Sequence, residues 1–240
     1  MNTFKISSEP TTKISDTKGF AILELFTSEG CASCPPADEL LGRILKESDG
    51  RGIYILAYHV DYWDRQGWKD VFSSSDFSKR QRQYARWLNM SSLYTPQLII
   101  NGDKEFVGSQ ESSIRKEISK QISTNSKASL EIQVRLDDQK LSIRYHTKGT
   151  KKDSLVTALV QRSAETRVER GENAGHILSH VQIVRKIQTD PLNDVGEGIV
   201  TLELPNDFNP QKGEIICFVQ DQSNGKISAA AGAGLLNKNQ

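Results

Sequence analysis

The chain has 240 residues, of which 36% are hydrophobic and 25% charged, and its 31 Lys and Arg against 30 Asp and Glu leave a formal net charge of +1. That balance excludes a global field strong enough to draw nucleic acid or an anionic membrane surface. Three cysteines are too few for a disulfide-stapled scaffold, and apolar runs such as Ile53-Tyr54-Ile55-Leu56-Ala57 are too short to span a bilayer as a helix.

Met1 to Lys18 is a polar tail rich in Ser, Thr and Lys. It lacks the apolar stretch of about 7–15 residues that a secretory signal carries. The chain as numbered is therefore expected in the cytoplasm, or in the periplasm if a signal has been removed. Ala21 to Thr27 and Ile53 to Val60 read as apolar strands. Ala37 to Lys46 places Leu40, Leu41, Ile44 and Leu45 on one helical face. Asp76 to Leu88 has helical spacing of Phe77, Tyr84, Trp87 and Leu88. Gln97 to Ile100 and Glu105 to Val107 flank Asn101-Gly102-Asp103 as a hairpin, and Gln110 to Ile122 closes this half as a helix. The order is β-α-β-α-β-β-α.

Beyond Asn125 a period of two takes over. Leu130, Ile132, Val134 and Leu136 alternate with polar residues, Asp137-Asp138-Gln139 turns the chain, and Leu141, Ile143 and Tyr145 alternate back. Further strands are expected over Leu155–Gln161, Ile177–Ile187, Ile199–Leu204, Glu214–Gln220 and Lys226–Ala231, giving an antiparallel, sandwich-like β-rich region. The polar stretch around Ser126 divides the chain into a tail at 1–18, a first domain at 19–126 and a second at 127–240.

The chemistry concentrates at Cys31-Ala32-Ser33-Cys34, between the first strand and the first helix. A cysteine near a helix N-terminus meets unpaired N–H groups and the positive end of the helix dipole, which favour the thiolate. Lowering a thiol pKa from about 8.5 to about 7 requires roughly 2 kcal/mol. Cys31 is the expected nucleophile and Cys34 the resolving thiol of a disulfide exchange. Pro96, at the mouth of the third strand, is expected to follow a cis peptide bond and to face the pair. The dithiol, the order of elements and this proline together predict an α/β thioredoxin-like N-terminal domain, followed by the antiparallel β-rich domain. Cys217, inside a strand, reads as a buried apolar residue.

Glu24 interrupts an otherwise apolar strand, and a buried carboxylate needs a partner. It is either the acceptor of the Cys34 proton during resolution or a carboxylate tied to a Lys, an Arg or the backbone. His59 and Asp61 end the second strand on one face. His59 either supports the Cys31 thiolate, ligates a metal with the two thiols, or is a hydrogen-bonded structural histidine. Thr95, Asp61 and Trp63 are the candidate substrate contacts, Trp63 from an aromatic loop that forms a substrate lip or covers the core.

The motifs Phe26–Asp38, His59–Asp64, Gly67–Asp70, Gln81–Tyr84, Tyr94–Gln97 and Arg170–Gly175 resemble the signature of a bacterial family catalogued as domain of unknown function 1223. The resemblance implies a thioredoxin-like fold and leaves the activity open. One departure from the thioredoxin pattern is Pro35-Pro36 directly after Cys34. Each proline disfavours the α conformation in the residue before it, so the helix is expected to start at Pro36, with Cys31 further from its donors.

In the second half, residues 170–176 read as a structured loop, or as a cover packed over the dithiol that restricts its substrates. His176 and His180, four apart, are too few for a metal site. The favoured function is a thiol–disulfide oxidoreductase acting on protein or small-molecule thiols and disulfides, with no cofactor beyond its redox-active disulfide. Copper or zinc binding through Cys31, Cys34 and His59 is one alternative, and a non-catalytic partner-binding module is another.

Overall fold

The computed structural model describes residues 11–14, 19–48, 52–148 and 153–235. Of the expected tail, Thr11–Ile14 forms strand β1, and the rest lies outside the described residues. Ala21–Thr27 (β2) is buried at every position and runs parallel to Ile53–His59 (β3). Pro35–Ser48 forms α1 between them, and Ser75–Trp87 forms α2, capped by Ser74, whose hydroxyl accepts from the Asp76 N–H. Gln97–Ile100 (β4) and Lys104–Val107 (β5) make the hairpin. Its turn places Asn101 at φ 49° and Gly102 at φ 67°. A Cβ on Gly102 would meet the Gly225 carbonyl oxygen at 1.8 Å, so both the conformation and the close approach require glycine. Glu111–Ser123 is α3.

The rest of the chain is strand: Ser129–Asp137 (β6), Lys140–Lys148 (β7), Ser154–Arg167 (β8), Ile177–Pro191 (β9), Glu197–Glu203 (β10), Gly213–Gln220 (β11) and Ile227–Gly234 (β12). They assemble into a four-stranded sheet, β1-β6-β7-β10, and an eight-stranded mixed sheet, β12-β11-β8-β9-β3-β2-β4-β5. Alternation decides the packing. Leu130, Ile132, Val134 and Leu136 face a core shared with Leu155, Leu159, Ile215 and Val219 of the large sheet.

The α/β thioredoxin-like N-terminal domain expected from the sequence is overturned. The protein is mostly strand with three α-helices among the described residues, and β3 continues into β9 through a parallel pairing of Ala57 with Ile183. One face of the large sheet carries a core that runs from Phe26, Tyr58 and Tyr84 into Val156, Val160 and Phe218, with no break near residue 126. The other face is covered by α1 and α3 over Leu23, Leu25, Ile55 and Leu98, and by the small sheet over β8, β11 and β12. Periodicity reports which face of a strand is buried and is silent about which strand lies beside it. The second half supplies the neighbour of β3.

Candidate disulfide site

Cys31 and Cys34 form a disulfide with a Cα separation of 5.5 Å. It lies beyond the C-terminal ends of β2 and β3, where α/β crossovers leave a crevice. Cys34 caps α1: its carbonyl accepts the N–H groups of Ala37 at 2.9 Å and Asp38 at 3.2 Å. The helix begins at Pro35, one residue before the expected Pro36. The first helical N–H groups have no intrahelical partner, so prolines there sacrifice nothing. They also remove two donors. The polar contacts of the Cys31 sulfur are instead hydroxyls, Thr95 Oγ1 at 3.3 Å and Ser33 Oγ at 3.4 Å.

Thr95 is aimed by its neighbours. Trp63 Nε1–H donates to Thr95 Oγ1 at 2.8 Å, which leaves the threonine hydroxyl hydrogen free to point at Cys31. Gln81 on α2 donates to the Tyr94 carbonyl at 2.8 Å and steadies the same segment. The Thr95–Pro96 peptide is cis. Cys31, Cys34, Thr95, Pro96 and Trp63 thus gather at one place. Asp61 does not join them: it accepts the Ser78 hydroxyl of α2 at 2.5 Å.

Glu24 sits on the α2 face of β2, whereas α1, which Cys34 caps, packs on the opposite face. It is fully buried and takes two hydrogen bonds from Arg80, at 2.5 and 2.9 Å, and another from the Tyr84 hydroxyl. Of the two roles read from the sequence, the paired carboxylate is the one observed. Burial opposes the charged guanidinium, but the charge and hydrogen bonds of Glu24, together with Tyr84 and Tyr58, hold the Arg80 pKa well above its usual value.

A second buried group lies behind the disulfide. His59 pairs with Thr27 across β2 and β3 and shares its Nδ1 with Asp70 Oδ2 at 2.6 Å. Burial opposes a charged ring, but Asp70, Asp38 and Glu29 raise the His59 pKa above its usual 6.5. Burial likewise pushes Asp70 up, yet His59 and the N–H groups of Glu29 and Phe72 hold it below the ordinary carboxylate value. His180 from β9 meets Glu29 Oε1 through Nε2 at 3.2 Å, and its ring packs edge-on to His59 with centroids 4.9 Å apart. Trp68 Nε1–H donates to the other Glu29 oxygen at 2.7 Å. Asp38, one turn into α1, accepts the Thr27 hydroxyl at 2.9 Å, and desolvation raises its pKa against the pull of the two imidazoles.

Residues 170–176 lie on the disulfide loop. Asn173, 7% exposed, donates through Nδ2 to the carbonyls of Glu29 at 2.8 Å and Cys31 at 3.1 Å. Glu172 Oε2 accepts the Ala32 N–H at 3.0 Å. Both cysteines are 0% exposed. Sequence reasoning left Glu29, Asp38, Asp70, Glu172 and Asn173 without roles, although all five fall inside the quoted motifs. Cys217 is buried, with its thiol pushed up to about 12 and donating to Thr157 Oγ1. Among the described residues no three His, Cys, Asp or Glu side chains are placed to hold a metal ion, and no helix is long and apolar enough to cross a membrane.

A mixed-sheet protein with a disulfide buried at the strand ends, covered by a loop from its own second half, is the class that fold and site define. The chain belongs to the family described as "Protein of unknown function (DUF1223)", whose model matches residues 22–220. It is similar to a crystal structure of a protein from Agrobacterium tumefaciens, with 29% identity and a TM-score of 0.71, covering 92% of this chain and 96% of that one. A crystallised domain of the outer membrane lipoprotein Omp28 from Porphyromonas gingivalis aligns at 14% identity over 46% of this chain and 89% of that one. Its TM-score of 0.30 is too low to indicate a shared fold. No curated protein matches the chain.

Proposed function

We propose that this protein carries out thiol–disulfide exchange through Cys31 and Cys34. The observation that carries the reading is the Thr95 hydroxyl, oriented by Trp63, against the Cys31 sulfur. A hydroxyl donor stabilises a thiolate more than a thiol, so it lowers the barrier to forming the attacking or leaving sulfur. Cys31 is the nucleophile of the reduced form and Cys34 resolves the mixed disulfide. Residues 170–176 restrict access, and a substrate thiol or disulfide reaches the sulfurs when this cover shifts. Alkylation with mass readout across glutathione redox buffers tests the reading. Reversible cycling of Cys31 and Cys34 in the folded protein, abolished by Cys31→Ser, is the expected result.

The complete burial of both cysteines favours a second reading, in which the disulfide is a structural clamp and the β-rich half engages a partner. In that case the pair resists glutathione until the protein unfolds.

A further inference from the structure

We propose that the His59–His180 imidazole pair takes up one proton when the Cys31–Cys34 disulfide is reduced, making exchange at this site proton-coupled. The proposal rests on the exchange reading above.

Each ring of the pair is buried and anchored at one nitrogen only, His59 through Asp70 and His180 through Glu29. The other nitrogens, Nε2 of His59 and Nδ1 of His180, are buried with no hydrogen-bond partner among the described residues. Leaving a buried polar atom unpaired costs about 1–3 kcal/mol, so two at one spot mark an arrangement kept for something other than stability. Two imidazoles in edge contact do not hold two charges easily, and the carboxylates beside them favour holding one.

The pair is tied to the disulfide loop by backbone and side chain alike. Asp70, which anchors His59, also accepts the Glu29 N–H at 2.9 Å. Asn173 bridges the carbonyls of Glu29 and Cys31, and Asp38, on the helix capped by Cys34, is bonded to Thr27 beside His59 in the sheet. A cavity of about 160 Å³ between the first turn of α1 and the start of β9 reaches His180, past Asp38 and Glu39. It offers a route for protons to His180 past Pro35, the residue that follows Cys34. The charges facing the pair are Glu29, Asp38 and Asp70. Around them stand Glu39 on α1, Asp64, which accepts the Asp70 N–H, and Arg185 on β9, whose guanidinium lies 5.6 Å over Phe72.

The step balances with a dithiol as reductant. One substrate thiolate attacks the Cys31 sulfur, breaking the Cys31–Cys34 bond and releasing Cys34. The second substrate thiolate then attacks the first substrate sulfur, forming the substrate disulfide and releasing the Cys31 thiolate. Two electrons pass to the protein, leaving a substrate disulfide, a Cys34 thiol and a Cys31 thiolate. Of the two substrate protons, one ends on Cys34 and the other on the imidazole pair, where it offsets the new negative charge.

Histidine ring titration by NMR, on the whole protein oxidised and then reduced with dithiothreitol, tests this on the unaltered chain. The titration midpoint of the imidazole pair should rise by about one unit on reduction, the size of a nearby-charge effect, with half-exposed His146 of the small sheet as the internal reference. Rings that titrate identically in both states overturn the proposal. A second measurement follows the redox midpoint from about pH 5.5 to 8.5. His180→Gln should flatten its pH dependence, and a profile matching the unaltered protein overturns the coupling. A disulfide that cannot be reduced reversibly in the folded protein sinks the exchange reading and this proposal together, whereas reversible reduction with unmoved rings sinks only the proton coupling.

Discussion

Two buried ionic groups lie along β2 and its extension, and they are finished differently. At mid-strand, Glu24, Arg80, Tyr84 and Gln220 satisfy one another: Arg80 grips both Glu24 oxygens, and Gln220 binds the Tyr84 hydroxyl at 2.8 Å. At the strand end, Glu29, His59, Asp70 and His180 are each held, yet two ring nitrogens stay open. A closed network fixes structure, because any change leaves a charge stranded. An open one can gain or lose a proton without rearranging.

The largest effect expected tests the closed group. Arg80→Met strands the Glu24 carboxylate in the core and should cost about 3–5 kcal/mol, read from denaturant midpoints. The double variant Glu24→Leu/Arg80→Met should recover most of the loss, since the pair must be desolvated to exist at all. A double variant as unstable as the single would show that Glu24 contributes something beyond pairing, and the contrast with the strand end would weaken.

Asn173→Ala comes next. It removes two hydrogen bonds to buried carbonyls, at about 0.5–1.5 kcal/mol each. Denaturation should report a loss of about 1–3 kcal/mol for the two bonds together, and dithiothreitol should reduce the disulfide faster, because the loop that covers it has lost its anchor. Destabilisation with an unchanged reduction rate would show that Asn173 supports the fold without governing access.

Much of this contrast was already written in the sequence. Hydrophobic alternation placed β6 and β7, the Asn-Gly turn placed the β4–β5 hairpin, and Glu24 stood out as a carboxylate in an apolar run. The dithiol and Pro96 were legible because strand, turn and helix signals bracket them within a short stretch. The neighbour of β3 was not legible, because pairing between strands more than a hundred residues apart leaves no local periodicity. The His180–Glu29 pair was hidden for the same reason, being 151 positions apart. Asn173 looked like an ordinary loop residue, and only its contact with the carbonyls of Glu29 and Cys31 reveals otherwise.

The pH dependence of stability separates the two groups more finely. The folded pKa of His59 is raised, so its contribution is full below the ring's unfolded value of 6.5 and is lost as pH rises through the folded value. Asp70 is lowered, so its contribution is present above the unfolded value of 3.8 and is lost as pH falls through the folded one. Asp38 acts against Asp70, because a raised carboxyl penalises the folded state once ionised. Unfolding free energy should therefore decline above about pH 6.5, and His59→Gln should remove that alkaline decline. A decline that survives the substitution would place its origin elsewhere.

The smallest effect bears on the reacting sulfur itself. Thr95→Val keeps the shape of the side chain and deletes the hydroxyl that reaches Cys31 at 3.3 Å. If that hydroxyl stabilises the thiolate by an ordinary hydrogen bond of about 0.5–1.5 kcal/mol, the Cys31 pKa should rise by up to about one unit. Iodoacetamide reactivity of the reduced protein against pH reads this directly, separately from a stability loss of about 0.5–1.5 kcal/mol as the Trp63 N–H loses its acceptor. Trp63→Phe should give part of the same shift, since it removes the donor that turns the Thr95 hydroxyl towards sulfur. A Thr95→Val profile identical to the unaltered protein would mean the contact exists only in the disulfide form. Thiolate stabilisation would then fall to the strand-end cluster alone, and the open group would carry the chemistry that the hydroxyl had been assigned.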